Sequence, residues 1–208
     1  MPNYAILIDG GFVKRQLRTT NGPMNSASIK ELIDSFCKLE VLRFMKLHRV
    51  YYYDSVPLDT SHQKPLGGEL IEFGNSPIAS QARKLFEELQ LIPFVALRLG
   101  ELSFNGWKIK NKKILNKELL SVEISNDDLK PNITQKGVDM RIGMDMAALT
   151  LKKQVDAIIL VSADSDFVPA MKFVRREGAQ VFIAPLGRKV KTSMIEHSDM
   201  VLNINLQQ

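Results

Sequence analysis

Apolar positions along this chain fall into two kinds of run, and the two kinds alternate. The first is continuous. Tyr4–Asp9, Lys46–Ser55, the stretch from Ala157 to Ser162 and the stretch from Val181 to Pro185 set apolar residues side by side over much of their length. Such a run has no polar face to offer water, so it predicts a strand covered on both sides, as in parallel sheets. The second kind repeats at helical spacing. In Ser28–Glu40 the apolar residues are Ile29, Leu32, Ile33, Phe36 and Leu39, with Ser28 as the predicted cap and Glu31 completing a capping box. Ser80–Gln90 and Asp166–Gly178 read the same way, the latter stopped by Gly178. Gly137–Lys153 is a helix that sets Met140, Met144, Ala147, Ala148 and Leu151 on one side. A further helical stretch, around Phe12–Arg18, follows a turn through Gly10 and Gly11.

The remaining segments are less regular. Val56–Pro77 shows no sustained period and reads as a loop with room for a short helix. Phe94–Phe104 begins as a strand, and Ser193–Ile204 closes with a short helix and a last strand. Asn105-Gly106 is a hairpin turn signal between alternating segments. It predicts a β-hairpin inserted at about residues 100–130. Strands alternating with helices imply an α/β fold with a central, mostly parallel sheet and helices on both faces. The expected organisation is one domain over residues 1–208 carrying that hairpin insertion.

Composition narrows the class without changing this picture. No segment approaches the roughly 18 consecutive apolar residues of a membrane helix, and the first apolar run is short and broken by Asp9, unlike a signal peptide. Cys37 is the only cysteine, so no intrachain disulfide forms and a cytoplasmic location is expected. Lys and Arg total 28 against 23 Asp and Glu, for a net charge of +5. That excess agrees equally with a polyanionic partner and with an ordinary soluble basic protein.

The candidate chemistry lies where the strands end. Ligands of open parallel sheets bind beyond the carboxyl ends of the strands. Asp9 ends the first strand, Asp54 the second, and Asp164 and Asp166 follow the strand beginning at Ala157. Asp139 starts the helix after Gly137. If these elements are neighbours, four carboxylates, Asp9, Asp139, Asp164 and Asp166, converge. Crowded carboxylates repel, and oxygen donors without His or Cys companions suit Mg²⁺ or Mn²⁺. Such ions serve phosphoryl chemistry. Each aspartate taken alone also reads as a turn or helix cap. Asp145, six positions beyond Asp139, points from another face of the helix.

The segments "ILIDGG", "KGVDMRIGMDM" and "DAIILVSADSDFVPAMKFVRREGAQV" resemble the NYN domain family in its LabA-like branch, within the PIN-like nuclease superfamily. The resemblance implies a Rossmann-like PIN fold and a Mg²⁺- or Mn²⁺-dependent endoribonuclease. It implies metal-binding, catalytic roles for Asp9, Asp139, Asp164 and Asp166, with Asp145, Ser162, Gly10 and Gly11 supporting them. Two positions depart from the usual pattern: Phe12 stands where many relatives carry Asn, and Ala163 where Gly is usual. These departures keep a second reading open, an RNA-binding or regulatory protein of the same fold with weak or no turnover.

Basic residues supply candidate substrate contacts. Lys108, Lys110, Lys112 and Lys113 surround Trp107, whose indole could stack on a base of single-stranded RNA. The bland alternative is a solvated hairpin whose lysines discourage edge pairing. Arg188 and Lys189 follow the strand from Val181 and are expected to reach the same edge as the carboxylates. No membrane partner is expected, and a homodimer is compatible with the reading. An aspartyl phosphatase would need Asp at position 11, which is Gly11, and no G-x-G-x-x-G dinucleotide motif is present. His48, His62 and His197 lack ligand spacing, and Cys37 reads as a core residue.

Overall fold

The computed structural model describes residues 1–17, 24–111, 121 and 123–204. In chain order its main elements are β1 (Asn3–Asp9), α1 (Gly10–Gln16), α2 (Ser26–Cys37), β2 (Lys46–Ser55), β3 (Ser61–Gln63), β4 (Leu70–Glu72), α3 (Pro77–Leu89), β5 (Val95–Ile109), β6 (Leu129–Lys136), α4 (Val138–Leu151), β7 (Ala157–Val161), α5 (Val168–Arg176), β8 (Gln180–Ile183), α6 (Thr192–Glu196) and β9 (Met200–Val201). They group into two compact units. One holds Met1–Asp54, Leu85–Leu99 and Gly137–Gln208; the other holds Ser55–Lys84 and Gly100–Lys136.

The first unit is built on a sheet of order β5-β2-β1-β7-β8-β9. The pairs β1/β2, β1/β7, β7/β8 and β8/β9 are all parallel. β1 is central, and Tyr4 to Ile8 are buried without a break, as their continuous apolar run requires. Alternate residues face opposite sides. Ala5 and Leu7 share a core with Tyr51 and Tyr53 of β2, Ile158 and Leu160 of β7, Ile142 and Met146 of α4, and Met171 and Val174 of α5. Tyr4 faces the other way, where its hydroxyl donates to Cys37 Sγ at the end of α2. The sheet is therefore flanked by helices on both faces, as the alternation of runs predicts. Cys37 itself is exposed rather than a core residue, because it is the last residue of its helix.

Two helices differ from their sequence readings. α2 begins at Ser26, capped by Asn25, whose side chain accepts the Ser28 amide at 3.0 Å; Ser28 is thus in the first turn, not the cap. Asn and Ser are comparable caps, so the choice depends on where the chain enters the helix. In α4 the buried residues are Val138, Ile142, Met146, Leu149 and Thr150. The stripe of Met140, Met144 and Leu151 is on the solvent side, 70%, 64% and 59% exposed. Both stripes have helical spacing, so periodicity identifies the helix but not the face that packs.

In the second unit, β3 and β4 form an antiparallel pair inside the segment read as a loop. Strands of three residues are too short to establish a period. β5 and β6 pair antiparallel from Glu101↔Lys136 to Ile109↔Leu129, with a register shift between Phe104 and Trp107. Asn105-Gly106 is therefore a bulge within one strand, not the hairpin turn. Gly106 has φ +83°, the left-handed conformation that bulges and tight turns share. The aromatic core of this unit is His62, Phe73, Phe104 and Trp107, with His62 stacked on Phe104 at 3.8 Å.

Candidate functional site

From β1 the sheet extends one way through β2 and the other way through β7, so the strand order reverses between β1 and β7. That is the topological switch point at which open α/β sheets bind ligands. Ile8 pairs with Val161, so the next residues, Asp9 and Ser162, leave the sheet side by side. Ser162 is fully buried, and its hydroxyl donates to Asp9 Oδ2 at 3.2 Å. The other carboxylate oxygen of Asp9, Oδ1, accepts the Phe12 amide at 2.9 Å, which makes Asp9 the N-cap of α1. Both readings of this residue thus apply at once: it caps a helix and stands at the sheet's functional edge.

Gly10 and Gly11 are the first two residues of α1 rather than a turn before it. A Cβ on Gly10 would lie 2.5 Å from the Tyr53 carbonyl oxygen and 2.8 Å from the Tyr52 ring. Only glycine lets the helix start so close to β2. Phe12 is buried and supplies its backbone amide to Asp9.

Asp164 caps the turn Ser165–Phe167, accepting the Asp166 amide on Oδ1 at 3.0 Å, while its own amide donates to Ser162 Oγ at 3.3 Å. Ser162 therefore links Asp9 to the Asp164 loop. Asp139 is in the first turn of α4, after Gly137, which occupies the cap position at φ +78°. Its carboxyl is held above the ordinary range by burial and then by the charges of Asp164 and Asp166. The Asp9 carboxyl is also raised, chiefly by burial. The hydrogen bonds from Phe12 and Ser162 oppose that shift, Asp139 adds to it, and Arg15 lowers it. Asp139 is thus within electrostatic reach of Asp9, Asp164 and Asp166.

Asp145 has partners of its own. It accepts the Tyr53 hydroxyl at 2.9 Å and pairs with Arg98 at 3.2 Å, so its charge is answered locally. Arg188 and Lys189 are exposed on the turn closed by the Arg188 amide on Pro185 O. In the second unit Trp107 is half-buried and its Nε1 donates to Gln63 O at 3.0 Å. The ammonium groups of Lys108 and Lys110 bond Asn132 Oδ1 and Asp127 O. Lys112 and Lys113 lie outside the described residues, as does Arg18 at the end of the first helical stretch.

Sequence reasoning gave no role to the cations of α1. Lys14 pairs with the buried Asp54 at 2.5 Å, and the Tyr52 hydroxyl donates to the same carboxylate at 3.3 Å. Burial, followed by the charges of Asp54 and Asp9, pushes the Tyr52 hydroxyl well up. The available signal was the pair of basic residues one to two turns after Asp9.

Among the described residues, no three His, Cys, Asp or Glu side chains are drawn to ligand distance. The donor chemistry fits a hard divalent cation all the same. The four candidate donors are all carboxylates, and the repulsion from Asp164 and Asp166 that adds to burial in raising Asp139 is what such a cation relieves.

The profile of the NYN domain matches residues 4–205. Over 81 residues the chain is 26% identical to an uncharacterised protein of Methanocaldococcus jannaschii, taking in 39% of this chain and 34% of that relative, about a third of its length. A crystal structure of a protein of unknown function from Vibrio parahaemolyticus superposes with a TM-score of 0.55 at 16% identity, covering 98% of this chain and 93% of that one. At that identity the likeness is one of fold. Among the described residues no helix is long and apolar enough to cross a membrane.

Proposed function

The chain belongs to the NYN domain family, a branch of the PIN-like nucleases, and from that premise we propose that it is a metal-dependent endoribonuclease. The observation that carries the reading is that Asp9 and the Asp164 turn follow neighbouring parallel strands at the switch point of the sheet and are joined through Ser162. Asp9, Asp139, Asp164 and Asp166 would hold Mg²⁺ or Mn²⁺. The ion, when bound, supplies the positive charge that activates a water and stabilises the oxygens of the reacting phosphate.

The chain's own contribution is orientation. The Phe12 amide and the Ser162 hydroxyl fix the two oxygens of Asp9, and the Asp166 amide fixes one oxygen of Asp164. Two of the acids are thus aimed before any ligand arrives, which limits the reorganisation needed on binding. In this reading Arg188 and Lys189 hold flanking phosphates. Trp107, Lys108 and Lys110 contact single-stranded RNA on the surface of the second unit, with Lys112 and Lys113 as further candidates. Asp145 supports the fold behind the site through Tyr53 and Arg98.

The test is cleavage of a panel of single-stranded RNAs in Mg²⁺ or Mn²⁺ by the wild type and by Asp164→Asn. The variant is expected to lose activity by at least about 100-fold, the scale on which removing one preorganised electrostatic group acts. Equal cleavage by the two proteins refutes the assignment. A second reading, an RNA-binding protein of weak turnover, is favoured by Phe12, which is buried where relatives offer a polar side chain. RNA binding by the wild type without metal-dependent cleavage selects it.

A further inference from the structure

We propose that Lys191 is the residue that meets the substrate phosphate beside the carboxylates, and that Ser165 holds it ready. The proposal rests on the nucleic-acid reading of the site but names a residue and a contact that this reading does not supply.

Three observations converge on Lys191. The first is a direct contact: its Nζ donates to Ser165 Oγ at 2.9 Å, and Ser165 is the residue between Asp164 and Asp166. The second is how the chain gets there. Just beyond β8 the Ala184 amide donates to Leu160 O, so the chain leaves β8 beside the carboxyl end of β7, the strand that delivers the acidic loop. The third is a fixed base. Val190 packs against the core that contains the buried Met194, and Lys191 O accepts the Met194 amide at 3.0 Å. The backbone of Lys191 is pinned on both sides while its side chain projects to the loop.

The charge arithmetic favours a ligand over a structural pair. An exposed lysine hydrogen-bonded to a neutral hydroxyl gains little stability, and its charge is not cancelled by that partner. A phosphodiester approaching four carboxylates is repelled, and a cation alongside them offsets the repulsion where it is strongest. Arg188 and Lys189 are on the exposed turn, two or three residues before Lys191, and take a more distal role. Lys191→Arg preserves a cation at this place, whereas Lys191→Ala removes it. Ser165→Ala removes the tether and leaves the cation.

The experiment is anisotropy of a labelled 12-nucleotide oligouridine RNA in EDTA, titrated with the wild type, Lys191→Ala, Lys191→Arg and Ser165→Ala between 50 and 200 mM KCl. EDTA separates binding from any metal-dependent turnover. Lys191→Ala is expected to weaken binding by about 3- to 10-fold at low salt and to lower the slope of log affinity against log salt by about 0.7, one phosphate contact on a single strand. Lys191→Arg should retain both, and Ser165→Ala should keep the slope. Wild-type affinity and slope in Lys191→Ala overturn the assignment while leaving the nuclease reading intact. Equal losses in Lys191→Ala and Ser165→Ala at unchanged slope also overturn it, since a loop tether would act that way. A wild type with no RNA affinity at any salt overturns this assignment, and the cleavage assay in Mg²⁺ or Mn²⁺ then decides the nuclease reading separately.

Discussion

Asp9 illustrates how one side chain can be structural and functional together. Its two oxygens accept from the Phe12 amide and the Ser162 hydroxyl, so capping α1 and holding a fixed orientation are the same interaction. Its neighbour Gly10 is present for space. A methyl there meets backbone oxygen at 2.5 Å, and a backbone cannot swing away as a side-chain end can. Gly10→Ala is therefore expected to destabilise by about 1–3 kcal/mol or more, as overpacking does. Gly143 in α4 offers the contrast, because its added Cβ would meet only Ala170 Cβ, at 3.8 Å. Gly143→Ala should be neutral or stabilising by up to about 1 kcal/mol, from helix propensity. Denaturant unfolding of the two variants separates them, and a Gly10→Ala protein as stable as wild type would refute the packing argument. The identity of Gly10 was legible as a signal near Asp9, but the crowding by Tyr52 and Tyr53 was not, because it involves a strand about forty residues away.

At the scale of elements, α4 shows the limit of periodicity. Met140, Met144, Ala147 and Leu151 repeat at helical spacing, and so do Val138, Ile142, Met146 and Leu149. The sequence contains two apolar stripes, and contact with β1, β7 and α5 decides between them. The expected consequence is an asymmetry between two methionines on one helix. Met146→Ala, at a fully buried position, should cost about 2–5 kcal/mol. Met144→Ala, 64% exposed, should change stability by no more than about 0.5 kcal/mol. Similar losses in thermal or denaturant unfolding would show that the packing side is misassigned. The parallel strands were easier to read. The bounds of β2, Lys46–Ser55, match the sequence reading; its buried half, from Val50, carries the apolar run Val50–Tyr53 that marks a strand covered on both faces. The Asn105-Gly106 signal was real but ambiguous, because a left-handed glycine serves a hairpin turn and a bulge equally well.

For the whole molecule, the acidic group couples folding to pH. Asp9 and Asp139 are both raised in the folded chain, each first by burial. The native state then keeps protons that the unfolded chain has released. Their contribution to stability is fully present below the ordinary carboxylate range and is lost as pH rises through the folded values. At neutral pH, without a cation, the ionised pair therefore opposes folding. Asp139→Asn should raise the metal-free melting temperature at pH 7, and the gain should shrink towards pH 4. Mg²⁺ or Mn²⁺ should raise the wild-type melting temperature at pH 7 more than that of Asp139→Asn, because binding to the native state alone adds stability. Melting curves at the two pH values, with and without the ion, check the sign, and a gain that grows on acidification would contradict it.

What the sequence by itself determined is the set of local structures whose cause is local: continuous apolar runs that must be buried on both sides, helices announced by spacing and caps, and acids placed where strands end. It also determined which acids to watch, since Asp9, Asp164 and Asp166 are bound to their strands by chain connectivity. Only the tertiary structure decided the rest. Parallel pairing of β1 with β7 put Ser162 against Asp9, packing chose the inner face of α4, and the path out of β8 brought Lys191 to the acidic loop. Each of these depends on residues far apart in the chain meeting at short range, and no spacing along one strand or helix records such a meeting.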